Sequence, residues 1–393
     1  MAYISKFCEK FNSYAIISTA TQPNFSLPDN NNDTKDFFAD YKNPIQLLPL
    51  SYFDHYLFNR YDITNNPEEI NLEDLKHCIL DGKKSILVIL NTINDTQDLY
   101  NLLLNYLSKN ELILLNTHFT PQHRKLKIYL AKRRLRESKR IIVISTQLIE
   151  AGVDIDFPIL YRDFATIPSI VQSAGRCNRN GDIKEKGHVH LFHLQRNGIK
   201  RAELIYRGID RDLLRFTNTA ITSNIYMEKE LLSVQKEFFN RIQKEFHFAK
   251  HWKSNNGDLN NPDFDFLKDI RQCMFDKLGK FNLIDNQVFG EEYQFFVVKN
   301  LNDDKFEILL RKQSELIELI KNKSQDNLVR IKKKEIEFHL KKMSNQIILV
   351  HLNKNQHKPL LACEKSYFNL YKIDSSFYSF AKGIDLKNNE CIL

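Results

Sequence analysis

Glycine and proline are scarce in this chain, with 11 and 10 among 393 residues. No internal repeat and no long low-complexity tract is found, which excludes collagen-like and linker-rich architectures. The six cysteines (Cys8, Cys78, Cys177, Cys273, Cys363, Cys391) are scattered and form no CxxC pair. They read as reduced thiols of a cytoplasmic protein and not as a disulfide framework. No apolar run approaches 18 residues, so no membrane-spanning helix and no membrane partner is expected. Glu9 and Lys10 stand where a signal peptide needs an apolar core, so export is not expected.

What is present is ordinary in amount and regular in pattern. Apolar residues make up 42% and charged residues 27%, the balance of a globular protein. The length allows two or three domains with cores of their own. The net charge of +8 is compatible with nucleic acid without requiring it. "YAIISTATQP" (14–23) is a strand-like run stopped at Pro23, and a polar loop and a mixed stretch follow. From residue 84 the chain alternates. Strands are expected at 84–90, 111–119, 140–146 and 187–194, and helices at 94–109, 120–138 and 167–179. Asn94 or Asp95 is a plausible N-cap of the first helix. Thr120 and Pro121 open the second as N-cap and first helical residue. Apolar strands alternating with helices indicate a parallel sheet covered on both faces. Charged helical stretches then run from about 199 to 280, two strands with a turn are expected over 281–298, and a long helical stretch over 306–343 precedes a strand at 346–352.

Two polar clusters follow strands of this series, where ligands of such sheets bind. "STQLIEAGVDID" (145–156) places Gly152 and Asp154 after an apolar run. The glycine permits close approach of a nucleotide, and the carboxylate can accept from a ribose hydroxyl. "QSAGRCNRNG" (172–181) puts Gln172, Arg176 and Arg179 on one face of the helix expected over 167–179. A guanidinium pair suits a terminal phosphate because it is always charged and forms planar paired hydrogen bonds. Gly175 would let a second backbone approach closely. Either cluster alone also reads as a plain turn or a solvated arginine pair; in order, at short spacing and in βα context, they support each other. Two further features have blander readings. His188 and His190 share one face of "HVHLFH" with His193 on the other, a structural arrangement from which no metal site is expected. The basic run "KIYLAKRRLRESKR" (127–140) is a solvated helix face unless it meets nucleic acid.

These clusters resemble motifs V and VI of superfamily 2 helicases and, more narrowly, those of the helicase–nuclease of type I CRISPR systems. "TATQP" (19–23) resembles that family's motif III, "NTINDTQDLY" (91–100) its motif IV, and "LLNTHFTPQHR" (114–124) the element after it. "FNLIDNQVFGEEYQFFVV" (281–298) is similar to the start of its C-terminal domain. Ser173 stands where many relatives carry arginine. The resemblance implies that Arg176 and Arg179 are arginine fingers with Gln172 beside them. It implies that Gly152 and Asp154 touch the nucleotide. Thr92, Thr117, Thr146 and Arg124 would contact the DNA backbone, and Thr19, Ala20 and Thr21 would couple nucleotide state to strand separation. The implied cofactor is ATP with Mg²⁺, the metal being held by a partner chain.

The same resemblance makes other gaps meaningful. No GxxxxGK[ST] phosphate loop occurs, and "DGKKS" (81–85) lacks its first glycine and its Lys-Ser/Thr pair. No DExH or DExD box and no His-Asp dipeptide is present. The expected fold is α/β: the last strand of a first RecA-like domain and a loop (1–45), a second RecA-like domain of parallel sheet flanked by helices (46–198), a helical linker (199–280) and a small α+β C-terminal domain (281–393). The expected function is the C-terminal portion of an ATP-dependent DNA helicase in CRISPR antiviral defence, inactive alone. Its expected partners are single-stranded DNA, a chain carrying the first RecA-like and nuclease domains, and the CRISPR surveillance complex. The alternatives are a non-catalytic remnant or DNA- or protein-binding module, or half of another superfamily 2 translocase.

Overall fold

A computed structural model describes residues 2–19, 21, 23, 44–47, 49–181, 185–207, 210–245, 272–274, 276, 291–298, 303–323, 326–352, 366–367, 369–373 and 375–385. In chain order the elements are α1 (Ala2–Lys10), β1 (Tyr61–Ile70), α2 (Leu72–Asp81), β2 (Ile86–Ile89), α3 (Ile93–Leu103), β3 (Leu112–Leu115), α4 (Pro121–Arg136), β4 (Ile142–Ser145), β5 (Ile159–Asp163), α5 (Ile167–Ala174), β6 (Gly187–Arg196), β7 (Ile199–Lys200), α6 (Arg201–Ile205), α7 (Asp210–Ala220), β8 (Ile225–Met227), α8 (Leu231–Glu245), β9 (Glu291–Val297), α9 (Lys305–Lys321), α10 (Asp326–Met343), β10 (Ile347–Leu352), β11 (Ser366–Tyr367), β12 (Leu370–Ile373), β13 (Tyr378–Ser379) and β14 (Gly383–Ile384). The chain divides into two compact units, Met1–Leu112 with Arg134–His247, and Ile113–Arg133 with Phe248–Leu393.

The first unit is built on a sheet in the order β4-β2-β5-β6-β1-β8. β4, β2, β5, β6 and β1 are parallel, and β8 runs antiparallel to β1. Every residue of β2 and β4 is buried, as a sheet covered on both faces requires. β1 is a strand that the composition concealed. "YDITNNPEEI" is polar and contains Pro67, and only Tyr61 and Ile63 are buried. It nevertheless pairs with β6 from Tyr61↔Gly187 to Ile70↔Leu194, with a register shift between Asn65 and Glu69. β8 interrupts the stretch expected to be helical. The N-cap of α3 is Thr92, two residues before Asn94 and three before Asp95, its hydroxyl accepting from the Asp95 amide at 3.1 Å.

The second unit carries a sheet in the order β10-β9-β12-β11. One cluster of its core joins Phe296, Leu370, Phe306, Leu309, Ile336 and Met343, which seats α9 and α10 on the sheet. A separate cluster joins Phe295, Val297, Ile348, Val350 and Ile373 to Ile384 of β14. The long helical stretch is two helices, tied by Lys312–Glu335 at 3.0 Å and Lys332–Glu315 at 2.9 Å. Of the two strands expected over 281–298, β9 is seen, and residues 281–290 lie outside the described residues. β3 and α4 follow the expected pattern, with Thr120 accepting from the His123 amide at 3.2 Å.

Candidate nucleotide-facing site

The carboxyl ends of β2, β4 and β5 converge on a buried polar network. Arg162, the last residue but one of β5, is fully buried. Its guanidinium donates to the Asn91 side chain and the Asp163 carbonyl, both at 2.9 Å, and to the Ser169 hydroxyl at 2.8 Å. Glu150 lies 3.1 Å from it and accepts from Ser169 and Ser173 at 2.8 and 2.9 Å. A buried charge survives only when paired and hydrogen-bonded in this way. Asp163 beside it accepts from the Asn91 amide at 2.6 Å and the Leu194 backbone at 3.0 Å, and burial raises its pKa to about 7. Ser173 is thus a buried donor to Glu150. Sequence reasoning missed Arg162, Glu150 and Asn91. The signal was two charges, "RD", closing an otherwise apolar run.

The two sequence clusters meet over this network. α5 ends at Ala174, so the helix expected over 167–179 stops before both arginines and they share no helical face. The backbone then turns out. Asn178 adopts φ +44°, and Phe157 and Cys177 form a β-bridge. Arg176 is buried, its Nε donating to the Ile149 carbonyl at 3.0 Å and a terminal nitrogen to the Glu150 carbonyl. Arg179 keeps 38% of its side chain exposed and pairs through Nε with Asp154 at 3.4 Å, the Asp154 side chain being 71% exposed. Its backbone is fixed from two sides: its amide donates to Asp156 at 2.8 Å, and Arg60 donates to its carbonyl at 2.6 Å. Gly152 has φ +71° and open space where a side chain would begin. Gly175 has only its own helix's carbonyls nearby, at 3.4 and 3.5 Å; the glycine that admits close packing is Gly187, whose added Cβ would lie 2.5 Å from the Cys177 sulfur. Gln172 reaches the Thr21 hydroxyl at 3.5 Å, and the Thr19 hydroxyl accepts from the Thr21 amide at 3.3 Å. Ala20 lies outside the described residues.

The residues expected on a DNA path have unequal surroundings. Thr92 spends its hydroxyl on the cap of α3, and Thr146 is buried. In the second unit Thr117 is exposed at the end of β3, and Arg124 is half-buried, its Nε without a protein partner and its pKa lowered by desolvation. The basic run is partly structural. Arg134 and Arg140 bind carbonyls, and Lys127 is buried. His190 stacks on Tyr161 and His193 on Phe164, at 4.7 and 4.3 Å between ring centroids.

A mostly parallel sheet flanked by helices, with polar loops gathered at its carboxyl edge, is the α/β architecture expected for the first unit. One family model, that of the CRISPR-associated nuclease/helicase Cas3, C-terminal, matches residues 82–182. The CRISPR-associated nuclease/helicase Cas3 of Methanothermobacter thermautotrophicus is 32% identical over 142 residues, 35% of this chain and 17% of that protein. The protein of the same description from Haloferax volcanii is 46% identical over 73 residues, 19% of this chain and 8% of that protein. The chain therefore aligns with less than a fifth of the length of either relative. A solved structure described as "Crystal structure of CRISPR-associated protein" shares the fold with a TM-score of 0.52 at 13% identity, over 87% of this chain and 42% of that one.

Proposed function

We propose that this chain supplies the second wall of a composite ATPase site in an ATP-dependent DNA helicase of CRISPR antiviral defence. The observation that carries the reading is the exposed edge formed by Gly152, Asp154 and Arg179, fastened to the sheet through Arg176. The residues fit a nucleotide's sugar and terminal phosphate. Gly152 leaves space, Asp154 presents a solvent-exposed carboxylate paired with Arg179, and Arg179 is a half-exposed guanidinium on a fixed backbone. ATP would supply the phosphoryl group, and Mg²⁺ would be held by a P-loop and acidic box contributed from outside residues 1–393. Arg179 is the arginine finger of this proposal. Arg176, engaged on two carbonyls, holds the 149–154 loop in place, and Gln172 links the site to Thr21. Asp154 holds the Arg179 side chain until a phosphate competes for it.

A further feature supports a first RecA-like domain as partner. Tyr14 and Ile16, which would share one face of a strand, are 96% and 79% exposed, Ile17, on its other face, is 39% exposed, and among the described residues no strand pairs with this apolar segment. Apolar residues on both faces of a strand suit the interior of a parallel sheet. Thr117 and Arg124 would touch phosphates of single-stranded DNA, contacts that hold register without reading sequence. Mixing the chain with a polypeptide that carries the family's first RecA-like domain tests the proposal. DNA-stimulated ATP hydrolysis should appear in the mixture and in neither component alone. Association without hydrolysis, or Mg²⁺-dependent turnover by the chain alone, contradicts it.

A further inference from the structure

The loop between β3 and α4 does not stand alone. β13 and β14 form a small hairpin, with Tyr378 opposite Ile384 and Ser379 opposite Gly383. The Lys382 amide donates to the Ser379 hydroxyl at 3.0 Å and closes its turn. This hairpin is seated on the loop at three points, all within the second unit. The Ile384 amide donates to the His118 carbonyl at 3.0 Å. The Tyr378 hydroxyl accepts from the Thr120 amide at 3.1 Å and lies 2.8 Å from His123 Nδ1. Phe380 meets the His123 ring edge-on at 5.0 Å and covers the Lys127 ammonium at 4.7 Å. The approach is close enough to need glycine. Gly383 has φ +79°, and an added Cβ would stand 2.6 Å from the His118 carbonyl oxygen.

The seating leaves two side chains facing out. Lys382, next to Gly383, is exposed, and Phe380 remains 40% exposed. On the loop side, Thr117 is exposed beside His118. A compact ammonium, an aromatic ring and a hydroxyl are thus held around one pinned backbone contact. A positive charge with an exposed ring is the chemistry of single-strand recognition: the ammonium meets phosphate and the ring stacks on a base of any sequence. From this geometry we propose that the Tyr378–Ile384 hairpin is a second single-stranded nucleic-acid-binding element, in which Lys382 contacts a phosphate and Phe380 stacks a base of the strand that crosses Thr117. The inference rests on the nucleic-acid role of the Thr117 loop proposed above. Tyr378 and Gly383 position the element.

The test is fluorescence anisotropy of a labelled oligothymidylate with the whole chain between 50 and 200 mM salt. Lys382→Gln is exposed and should leave folding intact. It should lower the salt slope by about 0.7, so that the wild-type advantage shrinks about 2.6-fold across that range. Phe380→Leu should cost about fivefold or more in affinity. Lys323→Gln, at an exposed lysine elsewhere in the same unit, should change neither quantity. Unchanged slope and affinity in both hairpin variants, while Thr117→Ala weakens binding, would assign the hairpin a purely structural role and overturn the inference alone. A wild-type chain that does not bind the oligonucleotide would overturn the nucleic-acid role of the loop, and the inference with it.

Discussion

Arg176 donates from Nε to the carbonyl of Ile149 at 3.0 Å, joining the loop after β4 to the segment after α5. That bond, with its companion to the Glu150 carbonyl, makes the two sequence clusters a single site. It also separates the roles of the two arginines, one buried and engaged, the other half-exposed beside a carboxylate.

Removing the buried arginine should therefore cost stability. Arg176→Ala leaves two inward-facing carbonyls without a donor, and each such group costs about 1–3 kcal/mol. Arg179→Ala removes an exposed ion pair and should stay within about 0.5 kcal/mol of wild type. Urea denaturation of both variants measures the difference. Equal losses would mean that Arg176 does not hold the loop.

Glycines should rank by contact and not by motif. Gly187→Ala drives a methyl group to 2.5 Å from the Cys177 sulfur, an overpacking that costs about 1–3 kcal/mol. Gly175→Ala, within the motif itself, meets only ordinary contacts at 3.4 and 3.5 Å, and it lies at the end of α5 with no positive φ to strain a side chain. Midpoints of thermal unfolding should fall for the first variant and hold for the second.

Lys127 makes a pH prediction for the second unit. It is buried, with its ammonium 4.1 Å from the Phe119 ring centroid and 4.7 Å from that of Phe380, and desolvation lowers its pKa to about 7. The unfolded chain binds this proton up to about pH 10.4, so between the two values the unfolded state holds more protons. The lysine's contribution is favourable above the unfolded value and is lost as pH falls toward about 7. Stability should rise from pH 7 to pH 10 more steeply in wild type than in Lys127→Met, as read by urea midpoints across that range. Parallel profiles would show that the lysine stays charged when folded, held by the ring faces.

Much of the fold was legible because parallel strands announce themselves as short apolar runs. β2, β3 and β4 fall within their expected spans, β6 (Gly187–Arg196) overruns its expected 187–194 by two residues, and the Thr120–Pro121 signal marks the start of α4. β1 was hidden because its partners β6 and β8 lie far along the chain, and register with them, not its own polar composition, makes it a strand. The end of α5 was hidden for a related reason. Periodicity continues through "RCNR", but the bridge from Cys177 to Phe157 draws the backbone away. At the site, the residue types and their order were readable. The division of labour between Arg176 and Arg179 was not, since it depends on which carbonyls stand nearby. The Arg162–Glu150 pair is a long-range contact that no local pattern encodes.

The most direct measurement is DNA-stimulated ATP turnover in the mixture of this chain with the family's first RecA-like domain, comparing wild type with Arg179→Ala and with the exposed Arg133→Ala as control. The expected result is a loss of about 10³–10⁵ in turnover for Arg179→Ala, with the halves still associated and Arg133→Ala close to wild type. Arg179→Lys should recover little, because an ammonium does not reproduce the planar fork. Undiminished turnover by the associated Arg179→Ala mixture would contradict the assignment and leave Arg179 and Asp154 as an ordinary surface ion pair.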